Sequence, residues 1–310
     1  MVQASASGKI ILFGEHAVVY GRPAIAVPVT QVRATATITA AQPGSGLALN
    51  LPDVGEVWKV IGQSATQPLA HVAGLAARQL ELSPFPDWSI TLRSTIPVAS
   101  GLGSGAAAAT AIVKAMAAAA GRLLTPADVS ALVFESETLF HGTPSGIDNT
   151  VIAYEQPVWF VRGQAPQPFP IGRAFTIVIG DTGIASPTRL AVGDVRAGWQ
   201  ADTERFEALF DEIDAVVQAA RRAIEVGDAA ALGPLMNANH RLLQAVGVSS
   251  PELDALCQAA RDAGAAGAKL SGGGRGGNMI ALAPAGRAET IASALLAAGA
   301  VRTVVTDVAP

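Results

Sequence analysis

Apolar positions in the first third of the chain recur with the period of strands. Residues 9–13 and 24–29 are short apolar runs. Residues 32–39 alternate Val, Ala, Ala and Ile with Arg and Thr, the mark of a half-buried strand, and 88–93 repeat the alternation. Between them, 68–82 carry apolar residues at helical spacing. A glycine loop at 100–105 then opens into 106–120, an alanine-rich stretch that is a strong helix former and stops at Gly121. Thr125 caps a second helix with Pro126 at its first position and Asp128 in its first turn, running to about Phe140. Residues 150–154 and 158–161 read as strands.

The pattern changes after 164–173, where three prolines mark a domain junction. Residues 175–180 predict a strand and 196–245 a mostly helical stretch, with Gly227 and Gly233 as breaks. A helix follows at 251–263, strands at 267–270 and 278–282, a helix at 287–298 and a last strand at 301–308. No internal repeat of fixed period is present. Two halves that mix strands and helices predict an α+β chain with domains at 1–165 and 166–310, and a site built by the loops between them.

Composition narrows the function. Half of the 310 residues are apolar and 15% are charged, ample for a large core. Net charge is −4 with Lys and Arg scattered, so the chain is not expected to bind nucleic acid. No uncharged apolar run approaches the ~18 residues that span a bilayer, and no basic-then-apolar leader is seen, so neither a membrane segment nor a signal peptide is expected. The one cysteine, Cys257, lies at helical spacing and reads as a buried small residue; a reducing cytoplasm fits. The sequence leaves a homodimer open.

Four glycine-rich segments carry the chemistry: GKIILFGEHAVVYG from Gly8, PVASGLGSGAAAA from Pro97, HGTPSGIDNT from His141 and KLSGGGRGGN from Lys269. Glycines at 101, 103 and 105 let backbone N–H groups face a phosphate, and the following helix adds its positive end. A Walker loop would need Gly-Lys-Ser or Gly-Lys-Thr here, and there is none. Asp148, after the Pro-Ser-Gly turn, is a candidate proton acceptor for an alcohol attacking a γ-phosphate; read alone, it is equally a turn residue. Lys9 would hold that carboxylate ionised. Glu135 and Glu137 are hard oxygen groups of the kind that suits Mg²⁺; read alone, both are equally solvated helix charges. No Cys/His cluster suggests zinc.

In this order and spacing, the four segments resemble the galactokinase, homoserine kinase, mevalonate kinase and phosphomevalonate kinase (GHMP) superfamily. The GEHAVVYG and HGTPSGIDN forms look most like its mevalonate kinase branch. The resemblance covers nearly the whole chain. It implies a two-domain fold: an N-terminal domain like domain 2 of ribosomal protein S5, and a ferredoxin-like α+β C-terminal domain. It also implies phosphorylation of mevalonate on its C5 hydroxyl by ATP with Mg²⁺, a cytoplasmic step of isoprenoid synthesis.

By the same resemblance, Asp148 and Lys9 are catalytic and Glu15 and His16 meet the substrate. The ATP phosphates fall to Pro97, Ser100, Gly101, Leu102, Gly103, Ser104, Gly105 and Ala106. Ser271, Gly272, Gly273 and Gly274 form a third loop that closes the site, and Glu137 and Ser104 hold the metal. Two departures stand out: Gly105 replaces the second serine of the family's Ser-Ser pair, a metal ligand, and Ala108 replaces a tyrosine of animal enzymes. Arg275 stands where glycine is usual, and its sequence setting allows a phosphate contact or solvent. The rival readings are a sister kinase acting on phosphomevalonate, a sugar or homoserine, a decarboxylase of the same fold, and a catalytically silent nucleotide or metabolite sensor.

Overall fold

The computed structural model describes residues 1–60, 67–97, 101–141, 144–186 and 188–309. They divide into two units. The first holds Met1–Lys9, Val32–Pro97 and Gly103–Glu155; the second holds Ile10–Gln31 and Gln156–Pro310 with a short piece of the glycine loop. The sequence expectation put one divide after residue 165. The observed divide is at 155/156, and the N-terminal part is shared, because the first two strands each run from one unit into the other.

Those strands are β1 (Val2–Phe13) and β2 (Ala24–Ala40). The two runs expected at 24–29 and 32–39 are thus one strand. Its second part has Val32, Ala34, Ala36 and Ile38 buried, as the alternation predicts. Two short strands, β3 (Leu47–Leu51) and β4 (Glu56–Lys59), were not foreseen. After helix α1 (Pro68–Gln79) comes β5 (Trp88–Ser94), which pairs antiparallel with β2 from Ala34↔Ser94 to Ala40↔Trp88 and parallel with β3. The sheet order in this unit is β4-β3-β5-β2.

Three more helices complete the first unit: α2 (Ser104–Ala119), α3 (Pro126–His141) and α4 (Ile147–Tyr154). The alanines of α2 let it touch α1, α3, α4 and β5 at close range, and its residues 106–113 are all buried. Thr125 and Asp128 exchange hydrogen bonds in both directions, the expected cap of α3. Residues 150–154, expected as a strand, belong to α4. A short apolar run has no period of its own to tell strand from helix. Here Gly146, left-handed at φ 89°, caps the helix, and Ile147, Thr150, Val151 and Ile152 are all buried.

In the second unit the start of β2 pairs with β6 (Val158–Phe160), which pairs with β7 (Gln167–Pro168). Then come β8 (Phe175–Asp181), α5 (Thr188–Ala201), α6 (Thr203–Val226), α7 (Ala229–Val246), α8 (Pro251–Asp262), β9 (Gly267–Ser271), β10 (Asn278–Ala283), α9 (Ala288–Ala297) and β11 (Arg302–Val308). The four later strands form an antiparallel sheet in the order β11-β8-β10-β9. Strand, helices, strand, strand, helix, strand in that order is the ferredoxin-like pattern. Gly227 does end α6, but Gly233 lies inside α7. A side chain there would meet the Ala266 carbonyl at 2.3 Å, so this glycine serves close packing of helix on chain. Among the described residues no helix is long and apolar enough to cross a membrane.

Candidate active site

In the first unit, β1, α2 and α4 bring Lys9, Gly103 and Asp148 together. Lys9 is buried, 4% exposed, near the end of β1, and its Nζ lies 2.9 Å from Asp148 Oδ1. Asp148 sits in the first turn of α4, where the helix dipole favours a negative charge. Its side chain is one-third exposed, so it can reach a ligand while paired. Gly103 touches the same lysine. It is left-handed at φ 74°, and a side chain there would come within 3.0 Å of Lys9 Cγ and 2.8 Å of Ile152 Cδ1.

Gly103 is also the N-cap of α2, without a side-chain hydrogen bond, and the first turn of the helix has no acidic residue. Backbone N–H groups at such an end suit an anion. Ser104 and Gly105 follow in that turn, and the space over Gly105 is open, with nothing within 4 Å of an added Cβ. Ser100 lies outside the described residues. The Glu137 carboxyl, on α3, is pushed up to about 8 by burial and by the nearby Asp148 charge, with Lys9 opposing. Lys9 thus pairs with the Asp148 carboxylate, and Glu137 keeps its proton near neutral pH while no cation is beside it. Among the described residues no group of three or more His, Cys, Asp and Glu is placed to hold a metal.

In the second unit, Glu15 and His16 meet the third glycine loop. The sequence reading made Glu15 a substrate contact. The structure instead buries its carboxylate completely in an ion pair with Lys269 of β9, which is also fully buried. Burial raises the Glu15 carboxyl, against the lowering effect of Lys269, and burial likewise lowers the Lys269 ammonium. His16 Nε2 lies 3.1 Å from the Gly273 carbonyl. A carbonyl only accepts, so Nε2 carries the hydrogen and Nδ1 is left as an acceptor. Burial holds the His16 imidazole down to about 4, with the Gly273 carbonyl partly opposing and the Arg275 charge adding to it. The ring is neutral at ordinary pH.

Ser271 Oγ donates to the Ile11 carbonyl at 2.8 Å, and the Gly274 carbonyl accepts from Ser186 Oγ at 2.8 Å. Arg275 pairs with Asp194 of α5 and reaches the Gly247 carbonyl, which settles its place in the fold. The Cys257 thiol is buried and pushed up to about 12 by burial, the inert state expected for it. Lys269 is the residue that the sequence reading passed over. A lysine between Ala268 and Leu270 in an otherwise apolar strand was the available signal, since a lysine is almost never fully buried without a partner.

Comparison with known proteins fits this arrangement. Residues 69–156 match the GHMP kinases N terminal domain, and residues 220–301 match the GHMP kinases C terminal region. A mevalonate kinase of Pyrococcus horikoshii is 38% identical, with 97% of this chain and 93% of that one covered. The chain belongs to the GHMP kinase family, among the mevalonate kinases. A relative from Methanothermobacter thermautotrophicus, also a mevalonate kinase, is 32% identical over 91% of this chain and 90% of its own. The L. major mevalonate kinase, solved in complex with R-mevalonate, superposes with a TM-score of 0.86. It is 30% identical and is covered to 96%, against 100% of this chain. Streptococcus pneumoniae phosphomevalonate kinase, at 16% identity and a TM-score of 0.81, shares the fold.

Proposed function

We propose that this protein transfers the γ-phosphoryl group of ATP to the C5 hydroxyl of mevalonate, giving 5-phosphomevalonate and ADP. The observation that carries the reading is the Lys9–Asp148 pair, held at 2.9 Å beside Gly103 at the head of α2. Asp148 accepts the proton of the attacking hydroxyl, and Lys9 stabilises the negative charge that grows on the attacking oxygen. The glycine loop and the open N-terminus of α2 receive the phosphates. Catalysis rests on alignment and charge neutralisation, and no covalent enzyme intermediate is needed.

Glu137 and Ser104 are the groups that would hold Mg²⁺, and a divalent cation beside Glu137 would favour its ionised, ligating form. When bound, the ion would supply positive charge that offsets the charge of the phosphates. His16 presents Nδ1 as an acceptor, so it takes a hydrogen bond from a hydroxyl of the alcohol. A cytoplasmic location accompanies this reading.

The test is an ADP-release assay with mevalonate, 5-phosphomevalonate, galactose and homoserine under one condition. Mevalonate is expected to give the highest kcat/KM. A higher value for any of the other three overturns the substrate assignment. Nucleotide binding without ADP release from any alcohol overturns the kinase reading.

A further inference from the structure

Glu15 and His16 are consecutive, and both are gripped by one short segment, Lys269 to Gly273. Lys269 takes the Glu15 carboxylate and also donates to the Leu270 carbonyl at 2.7 Å, with the Phe13 ring centroid 6.0 Å from its Nζ. The Gly272 backbone lowers the Glu15 carboxyl without overcoming burial, and the Gly273 carbonyl holds the His16 ring. His16 sits at φ 62° and ψ −49°, a backbone conformation that non-glycine residues seldom adopt and that persists only where the surroundings enforce it. The two side chains of the ion pair are each 0% exposed. A buried pair of this kind is weak evidence for stability, because well-packed apolar residues of similar volume often do as well. What an apolar pair would lose is direction: a short charged contact fixes where the Glu15 backbone lies, and the His16 backbone follows one bond later.

We infer that Glu15 and Lys269 are positioning residues, which hold the strained His16 so that its Nδ1 faces the alcohol substrate. This replaces a direct substrate contact for Glu15, and it rests on the proposed kinase reading for the identity of the alcohol. The pair touches neither reactant and acts through His16.

The experiment compares Glu15→Gln, the double variant Glu15→Leu with Lys269→Met, and the same double variant in a His16→Ala background. Glu15→Gln leaves a buried lysine unpaired and should lower Tm by about 5–10 °C. The apolar double variant should recover most of that Tm. It should nevertheless keep a KM for mevalonate raised by about 10-fold or more, with KM for ATP unchanged, because misplacement of a contact is felt at the ligand it serves. In the His16→Ala background the double change should raise KM for mevalonate no further. A double variant that recovers both Tm and KM makes the pair structural only and overturns the inference. So does an equal rise in KM with and without His16, or an equal rise in KM for ATP. A wild-type protein that turns over another alcohol of the panel instead overturns the substrate assignment alone. The same comparison is then run with that alcohol.

Discussion

Asp148, Lys9 and Gly103 depend on each other at distances where a single methyl group matters. Asp148→Asn removes the proton acceptor while keeping shape. It should lower kcat by about 10²–10⁴-fold with ATP binding nearly intact, measured by steady-state turnover alongside nucleotide titration. Gly103→Ala tests the lysine from the other side. The added Cβ would meet Lys9 Cγ and Ile152 Cδ1, in a backbone conformation that favours glycine. Lys9 would have to move, and a shift on the order of 1 Å can cost about 10²-fold. The expected result is a large fall in kcat, even where calorimetry shows the variant folded. His16→Ala should raise KM for mevalonate far more than KM for ATP, since Nδ1 serves the alcohol.

At the scale of elements, α2 and α3 carry the metal question. Glu137→Gln should raise the Mg²⁺ concentration needed for half-maximal activity. Gly105→Ser should lower it, because the site above Gly105 is open and a serine there restores a hydroxyl to the first turn of α2. The same change should not destabilise the fold, since glycine costs a helix roughly 0.5–1 kcal/mol relative to alanine. Titrating Mg²⁺ against activity, with Tm recorded for each variant, checks both.

The elements themselves were legible where their signals were local. The alternation in β2, the Thr125–Asp128 cap and the alanine run of α2 need only neighbouring residues to be read. The strand expected at 150–154 failed because four or five apolar residues carry no decisive period, and the left-handed Gly146 that starts α4 looks like any turn glycine. Gly233 was taken for a break because its reason, the Ala266 carbonyl, lies far along the chain. In the candidate site, the motifs named candidate residues and the pairing of Lys9 with Asp148, but not the partner of Glu15. Nothing local to Glu15 announces that it is buried on Lys269.

For the molecule as a whole, three displaced groups shape the pH dependence of stability. His16 and His240 are each held down to about 4, chiefly by burial. Between about pH 6.5 and 4 the unfolded chain binds more protons at these two sites than the folded protein. Stability is therefore lost as pH falls through that window, by up to about 1.4 kcal/mol per pH unit for each histidine. Glu137, pushed up to about 8, acts in the opposite sense. The folded state holds its proton above the unfolded carboxyl range, and that contribution is lost as pH rises towards 8. The sum predicts greatest stability near pH 6.5. Thermal melts from pH 4.5 to 8 should show a dome, and Glu137→Gln should flatten its alkaline side. A flat profile in the wild type would contradict these assignments.

The course of β1 and β2 also bears on how such a chain can be recombined. Residues Ile10–Gln31 belong to the second unit, although residues on both sides of them in sequence belong to the first. A crossover at 155/156 would join the C-terminal part of one parent to a β2 from another. β6 would then have to pair Trp159 with a foreign partner for Ile25, and Lys269 would meet a foreign glutamate. Chimaeras cut there inherit mismatched halves of a unit. Clean exchange requires the short N-terminal stretch to travel with the distant C-terminal half, as if the two were one heritable segment.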